Sequence, residues 1–264
     1  MAMRLDKYLA QAGIGTRSEV KKLIRQGRVF VDGVPVKKPE EKVGENSEVE
    51  VDGVPVRYQE YEYFMLNKPA GVVTAVRDRE HRTVLDLLDC PHSPELFPVG
   101  RLDRDTEGLL LLTNDGTLAH ALLSPKKHVE KTYFVRVRGL VTEEDIQLFA
   151  DGLDIGDEKL TKPAVLEVLS CLGNQEQNGC GKLREVQQES AAEGGAVTEV
   201  LVTITEGRYH QVKRMFQKIG KPVLYLKRCS MGGLVLDESL ALGAYRRLTE
   251  GEVKELCGKK EKDG

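Results

Sequence analysis

An unbroken run of four leucines, residues 109–112, constrains the fold of this chain more than any other stretch. Such a run is typical of a buried strand, because a strand with one face in water alternates apolar and polar residues. The run follows residues 99–108, VGRLDRDTEG, which hold three acidic residues and two arginines. If that segment is extended, Arg101 and Asp103 project to one face and Leu102 to the other. We therefore predict that the strand holds Asp103 at the edge of a core, as a candidate nucleophile or general base.

Two other interpretations of these acidic residues have to be weighed. Their spacing matches the start of a calcium-binding loop, but the twelfth position of such a loop requires a bidentate Glu and is Asn114 here. An apolar strand also follows where the calcium motif has a helix, so we reject calcium binding. The plainer interpretation, salt bridges to Arg101 and Arg104 on a surface loop, stays open at this point.

The composition is that of a globular protein with ample material for a core. Of 264 residues, 40% are hydrophobic and 31% are charged. No run of eighteen apolar residues is present, so the sequence predicts no membrane span. The five cysteines are scattered without a CxxC pair, which indicates neither a zinc site nor a disulfide framework. We expect a protein of the reducing cytoplasm.

The net charge of −3 conceals a strong asymmetry along the chain. Residues 1–38 contain nine Lys/Arg against three Asp/Glu, and residues 205–232 contain seven against one. Residues 39–62 reverse the balance, with two basic and eight acidic residues. The two basic regions are therefore the places where an anionic polymer would bind.

The first sixty residues predict a compact basic module. An apolar helical stripe from Leu5 to Ala12 is followed by Thr16 and Glu19 at capping-box spacing, which opens a second helix. The octapeptide VFVDGVPV at 29–36 nearly recurs as VEVDGVPV at 49–56, and each contains an Asp-Gly hairpin signal. We interpret these as two hairpin-like pieces of one small sheet.

The rest of the chain mixes strands with amphipathic helices. A cleanly alternating strand is predicted at 131–139 and further strands at 161–170 and 198–207, with helices at 117–124, 142–153 and 209–220. We predict domains at 1–59 and 60–254, a flexible insertion loop at 173–197 within the second domain, and a charged tail at 255–264.

Four motifs carry a specific family resemblance. GRLDRDTEGLLLLTNDG closely resembles the catalytic motif of the pseudouridine synthases that modify ribosomal RNA, and FMLNKPAG, EKTY and EGRYHQVKRMF resemble that family's other motifs in the same order. The first sixty residues resemble an S4-type RNA-binding domain. The runs LTKPAVLEV and EGRYHQVKRMF are most similar to the branch that acts on 16S (small-subunit) rRNA. Only 173–197 and the last ten residues lie outside the resemblance.

This resemblance implies both a fold and a reaction. The fold is α+β, with an N-terminal S4-like (αL) RNA-binding domain followed by a pseudouridine-synthase domain on a mixed, mainly antiparallel sheet with flanking helices. The reaction isomerises one uridine: the base is flipped out, its glycosidic bond is broken with the help of an aspartate, and the base is reattached through C5. The family needs no cofactor or metal. The implied partner is ribosomal RNA or a small-subunit assembly intermediate, bound by a monomer.

The site residues are carried over position by position. Asp103 matches the catalytic aspartate, Tyr133 the tyrosine that stacks on the target base, and Lys213 the basic residue that pairs with the aspartate. Arg101 matches the arginine that fills the gap left by the flipped uridine. We predict further RNA contacts from Arg214, Arg17, Lys21, Lys22, Arg25, Arg28, Lys68, Lys131 and Arg208.

Each of these assignments has a plainer alternative. Tyr133 is otherwise a half-buried strand residue, and Lys213 and Arg214 are otherwise a basic helix face. His210 we interpret as a structural hydrogen-bonding residue. For the whole chain, the alternatives are a synthase for large-subunit rRNA and a non-catalytic ribosome assembly factor. A carboxylate-based glycoside hydrolase ranks well below these, because the chain has no Trp and only 5% aromatic residues.

Overall fold

The structure, a computed structural model, describes residues 3–44, 47–56, 61–89, 95–172 and 195–258. The chain divides into two compact units, Met1–Tyr61 and Glu62–Gly264. This division falls close to the boundary expected from the sequence, although the exact domain limits stay a prediction. No helix in the described ranges is long and apolar enough to cross a membrane.

The first unit combines two helices with short strands. The helices are α1 (Leu5–Gln11) and α2 (Arg17–Arg25), and the strands are β1 (Met3–Arg4), β2 (Val29–Val31), β3 (Val34–Val36), β4 (Lys42–Val43), β5 (Val49–Val51) and β6 (Val54–Val56). Strands β3-β2-β5-β6 form one antiparallel sheet, and β1 pairs with β4.

Local sequence signals account for this unit. Thr16 and Glu19 form a complete capping box at the start of α2. Asp32 and Asp52 have positive φ, as do the glycines that follow them, which is the backbone of the tight hairpin turns that Asp-Gly favours. The unit has its own core, formed by Leu5, Tyr8, Leu9, Val20, Ile24, Val29, Val43, Val49, Val51 and Val56.

The second unit is built on one large sheet with helices on both faces. Its helices are α3 (Gly116–Leu123), α4 (Glu143–Asp151), α5 (Gln211–Lys218) and α6 (Glu250–Leu256). Its strands are β7 (Tyr63–Lys68), β8 (Phe97–Pro98), β9 (Glu107–Thr113), β10 (Lys131–Arg138), β11 (Val165–Leu172), β12 (Val197–Ile204), β13 (Val223–Met231), β14 (Leu234–Val235) and β15 (Tyr245–Arg247). Short 3₁₀ turns lie at Leu85–Leu87 and Pro125–Lys127.

The strand order is β11-β12-β10-β13-β9-β7-β15, with β14 beside β13 and β8 beside β9. Among the described strands all pairings are antiparallel except β13 with β9, so the sheet is mixed and mainly antiparallel, as predicted.

The four leucines of β9 explain its place at the centre. Leu110 and Leu112 enter the core beneath α4 and α5, whereas Leu109 and Leu111 enter the core beneath α3 and α6.

The predicted loop and tail fall largely outside the described residues. Strand β11 ends at Leu172 and β12 begins at Val197, and residues 173–194 between them lie outside the description. Helix α6 continues to Leu256, which is buried, so the first two residues of the predicted tail belong to a helix. Residues 259–264 also lie outside the described part.

Candidate active site

The segment that precedes β9 is fixed to the sheet by a glycine. Gly108 has φ +99 and pairs with Arg228 at the parallel contact between β9 and β13. A Cβ at Gly108 would lie 2.3 Å from the Arg228 carbonyl oxygen, so the two strands approach this closely only because residue 108 has no side chain. The loop that carries Asp103 therefore leaves the sheet from a defined point.

Lys68, at the end of β7, holds this loop from beneath. Its Nζ donates hydrogen bonds to the carbonyl oxygens of Asp103, Arg104 and Thr106, at 3.1, 3.3 and 2.9 Å, and to that of Pro69 at 3.0 Å. The side chain is fully buried. Burial lowers the pKa of Lys68 to about 8, although the neighbouring carboxylates, Asp105 foremost, oppose the shift. The predicted RNA contact of Lys68 is therefore corrected: its ammonium group supports the loop and has no route to solvent.

Asp103 is paired with the lysine that the sequence predicted. Lys213 Nζ, on α5, lies 3.1 Å from Asp103 Oδ2 and 2.5 Å from Asp105 Oδ1. About a quarter of the Asp103 side chain is exposed, so the carboxylate remains accessible. Burial opposes the charge on Lys213, but its hydrogen bonds to Asp105 and Asp103 prevail and raise its pKa. Burial also opposes the charge on Asp105, but the hydrogen bond from Lys213 prevails and holds the pKa of Asp105 below its usual range. Both groups are therefore ionised at neutral pH.

His210 is the residue that the sequence interpretation undervalued. Its Nε2 lies 3.4 Å from Asp103 Oδ1, whereas Lys213 Nζ lies 3.1 Å from Oδ2. His210 has φ +48 and immediately precedes α5. The sequence contains a signal for this contact, which is the spacing of His210 and Lys213. Residues three apart at the start of a helix reach the same side of it. Asp105 was also not predicted as a partner of Lys213.

Tyr133 lies two strands away from this loop. It pairs with Arg228 on β13, and Arg228 pairs in turn with Gly108 on β9. Two strand spacings place the Tyr133 backbone about 10 Å from Gly108. The Tyr133 side chain is 8% exposed, on the face that carries the core beneath α4 and α5. Tyr133 is therefore at the same end of the sheet as Asp103.

Two buried cations share the surroundings of Tyr133. Arg228 donates from Nε to the Leu109 carbonyl oxygen at 2.8 Å, and its buried Nη2 has no partner among the described residues. Lys131 donates to the Val129 carbonyl oxygen at 3.0 Å and is 9% exposed, and burial lowers its pKa, with a smaller effect from Arg228. The predicted RNA contact of Lys131 is corrected accordingly, because its ammonium group is directed to the backbone.

Arg208 and Arg214 both bond to other groups of the protein. Arg214 Nη2 bonds Asp157 Oδ1 at 2.6 Å and also the Ile155 carbonyl oxygen. Arg208 bonds the carbonyl oxygens of Lys159 and Leu160 at 2.6 and 2.7 Å. Both guanidinium groups thus tie the 154–160 loop to the start of α5. Their predicted roles in RNA contact stay predictions, and most of their donors are engaged by the protein.

The remaining predicted RNA contacts are on the surface. Arg101 is exposed and makes no hydrogen bond or ion pair with the described residues. On α2, Arg17, Lys22 and Arg25 are exposed and equally unpaired within the described ranges. Lys21 lies 3.8 Å from Asp6, and Arg28 forms a two-pronged ion pair with Asp52. Of the five predicted cations, Arg17, Lys22 and Arg25 are therefore unpaired among the residues described.

The second unit thus presents an accessible carboxylate, Asp103, in contact with Lys213. The pattern of the RNA pseudouridylate synthase family matches residues 62–218, and that of the S4 domain matches residues 3–49. Because the first match covers more than half of the chain, the protein belongs to the RNA pseudouridylate synthase family, whose members are isomerases.

Individual relatives agree with this assignment. The chain is 47% identical over 253 residues to YtzG, an uncharacterized RNA pseudouridine synthase of Bacillus subtilis (strain 168), covering 95% of this chain and 97% of that protein. It is 43% identical over 253 residues to ribosomal small subunit pseudouridine synthase A of Escherichia coli (strain K12), covering 95% and 98%. A crystal structure of a pseudouridylate synthase superposes with a TM-score of 0.63 at 39% identity, covering 96% of this chain and 99% of the other. The predicted family, fold class and type of enzyme are thereby confirmed.

Proposed function

We propose that this pseudouridine synthase isomerises one uridine of 16S (small-subunit) ribosomal RNA, with Asp103 as the catalytic carboxylate. The observation that carries the proposal is the 3.1 Å contact between Lys213 Nζ and Asp103 Oδ2. The identity to a small-subunit synthase over nearly the whole chain supports the choice of RNA. A monomer working in the cytoplasm on naked rRNA or on an assembly intermediate fits this role.

The chemistry needs an ionised carboxylate next to the ribose. Asp103 either adds to C1′ or removes a ribose proton to give a glycal, and both routes break the N1–C1′ bond. Lys213 Nζ places a positive charge 3.1 Å from Asp103 Oδ2. After the uracil has rotated and C5 has bonded to C1′, Asp103 is the nearest candidate base for the C5 proton. Tyr133 would stack on the flipped base.

Arg101 and the first unit would present the RNA. Flipping a base costs a few kcal/mol, which contacts in the pocket and a side chain in the vacated stack offset. Arg101 is exposed, unpaired among the described residues and two positions before Asp103, so it suits that second task. The free cations of α2 suit contacts to phosphates, which supply affinity and orientation without reading sequence.

Tritium release tests this proposal. Wild type and Asp103→Asn are incubated separately with 16S and 23S rRNA transcripts that carry tritium at uridine C5, and with the corresponding ribonucleoprotein particles. We expect release from the small-subunit RNA by wild type and at least a thousandfold slower release by the variant, at unchanged RNA affinity, because the amide cannot act as base or nucleophile. Release only from the large-subunit RNA would redirect the substrate assignment. Equal release by the variant would remove Asp103 from the mechanism.

A further inference from the structure

Tyr209 is exposed in a way that core packing does not explain. Its exposed fraction of 76% is the largest of any large apolar side chain in the described ranges. Its ring stacks on the imidazole of His210, with centroids 3.8 Å apart and planes 20° from parallel. One face of the tyrosine ring is therefore covered by His210, and the other is open to solvent.

The stacked pair is held in place by the chain around it. The Tyr209 carbonyl oxygen accepts a hydrogen bond from Arg214 Nη1 at 3.1 Å. The side-chain oxygen of buried Gln211 accepts from the Arg208 backbone N–H at 2.9 Å, closing the turn on which the pair stands. An aromatic ring fixed before a ligand arrives loses little conformational entropy on binding. The exposed Tyr209 ring is thus already ordered before a ligand binds.

The pair lies directly beside the proposed catalytic carboxylate. His210 Nε2 is 3.4 Å from Asp103 Oδ1, so Tyr209 is one ring further from the carboxylate than His210. Exposed Arg101 lies on the same loop as Asp103, and Lys213 is on the helix that follows His210. Positive charge next to an open aromatic face is the combination that binds single-stranded RNA through phosphates and stacked bases.

We infer that Tyr209, backed by His210, is a stacking platform for an RNA base that neighbours the target uridine. The inference rests on the proposed function for the position of that uridine at Asp103. Extruding the uridine leaves the bases beside it without their stacking partner, and an aromatic ring one residue away from the catalytic contact can replace it. Stacking accepts all four bases, so the platform contributes affinity and orientation more than sequence selection.

The first test exploits the absence of tryptophan from this chain. Tyr209→Trp creates a protein with one tryptophan, whose fluorescence a stacked base quenches. The matched control is Leu140→Trp, because Leu140 is 56% exposed and follows β10 about 20 Å along the strand from Tyr133. We expect a 16S rRNA transcript to quench the tryptophan at 209 strongly and that at 140 little. Equal quenching at both positions would overturn the platform.

The second test separates stacking from positioning of Asp103. Tyr209→Ala is expected to raise KM about 5- to 150-fold with kcat within a factor of two, because removal of a base stack weakens binding by that much. Tyr209→Phe keeps the ring and is expected to match wild type within about twofold. A fall in kcat with unchanged KM would mean that the pair positions Asp103, and would overturn the inference.

Substrates with an abasic ribose identify the stacked neighbour. One abasic position beside the modified uridine should weaken binding by wild type and leave Tyr209→Ala unaffected, because the two changes remove the same contact. Additive losses at both neighbours would overturn the platform. Quenching at 209 needs no turnover, so a protein that is quenched but releases no tritium retains the platform and loses the proposed reaction. The converse result is tritium release by wild type, no quenching of the tryptophan at 209 and an unchanged KM in Tyr209→Ala. It would keep the proposed reaction and overturn the platform.

Discussion

At the scale of single residues, this site depends on groups that never reach the substrate. Gly108 lets β9 approach β13, and Lys68 binds four carbonyl oxygens of the loop and its own turn. Both residues appear in motifs that the sequence associates with catalysis, yet both act on the backbone. Together these neighbours fix the position of Asp103, the proposed catalytic carboxylate.

We predict that Gly108→Ala is severely destabilising. The new Cβ would lie 2.3 Å from the Arg228 carbonyl oxygen, and φ +99 strains any side chain. We expect the free energy of unfolding to fall by at least about 3 kcal/mol. Gly116→Ala is the control, because a Cβ there meets nothing within 4 Å at the start of α3. Urea denaturation measures both variants, and similar losses in the two would contradict the argument.

A second prediction concerns the pH dependence contributed by Lys68. Its pKa is about 8 in the folded protein, below the usual 10.5, so the unfolded chain binds this proton more tightly. Folded stability therefore increases with pH as pH rises from about 8 to 10.5. The free energy of unfolding of wild type, minus that of Lys68→Met, should increase by about 2 kcal/mol between pH 7.5 and 9.5.

Denaturant titrations at several pH values measure this difference directly. Subtracting the variant removes the titration of tyrosines, cysteines and other lysines that both proteins share. A flat or falling difference would mean that the Lys68 ammonium keeps an ordinary pKa despite its burial. Slower tritium release by Lys68→Met, with unchanged binding, is the expected companion result, since the Asp103 loop loses its support.

At the scale of elements, what the sequence could predict was local. The capping box of Thr16 and Glu19, the Asp-Gly turns and the leucine run each act within a few residues, and each gave the correct element. The contacts of the site join distant segments: Lys68 and Asp103 are 35 positions apart, and Lys213 and Asp105 are 108 apart. No pattern of apolar residues reports which lysine a sheet will bury, so Lys68 and Lys131 were assigned to RNA and not to the backbone.

Helix α5 provides the element-scale prediction. His210 gives the helix no side-chain cap, and Arg214 ties its start to the 154–160 loop instead. Arg214→Ala should lower the free energy of unfolding by about 2 kcal/mol, since it removes charged hydrogen bonds. Lys218→Ala, on the same helix, should cost less than about 1 kcal/mol, because its ion pair with Asp154 is 3.7 Å long and exposed.

The same pair of variants tests whether Arg214 supports α5 or contacts RNA. If Arg214 supports α5 and does not meet phosphate, the slope of log affinity for rRNA against log salt concentration is unchanged in Arg214→Ala. A slope that is nearly one unit shallower would mean that Arg214 neutralises a phosphate of the RNA. Chemical denaturation and filter binding at several salt concentrations supply the two measurements.

At the scale of the whole molecule, the proposed function assigns RNA binding to the first unit and chemistry to the second. The first unit has its own core and helices, and three of its unpaired cations among the residues described, Arg17, Lys22 and Arg25, are on α2. The second has the sheet, the Asp103 loop and α5. A chain with a net charge of −3 can therefore bind a polyanion, because its positive charge is concentrated where the RNA would lie.

Charge reversal in the first unit tests this division. Lys21→Glu with Lys22→Glu should weaken rRNA binding and make its salt dependence shallower, by about 0.7–0.9 units for each phosphate that the variant no longer neutralises. Lys126→Glu with Lys127→Glu changes the net charge equally in the second unit, at a 3₁₀ turn. An identical salt slope in wild type and in Lys21→Glu/Lys22→Glu would contradict the assignment of α2 to phosphate binding.

The four carbonyl oxygens around Lys68 Nζ resemble the coordination shell that proteins otherwise build around a dissolved cation. Here the cation is attached to the chain, so it cannot be diluted, exchanged or chelated. The Asp103 loop is therefore held here independently of any free metal ion. That independence suits an enzyme whose substrate class is a polyanion, since RNA gathers and releases its own counterions as it binds.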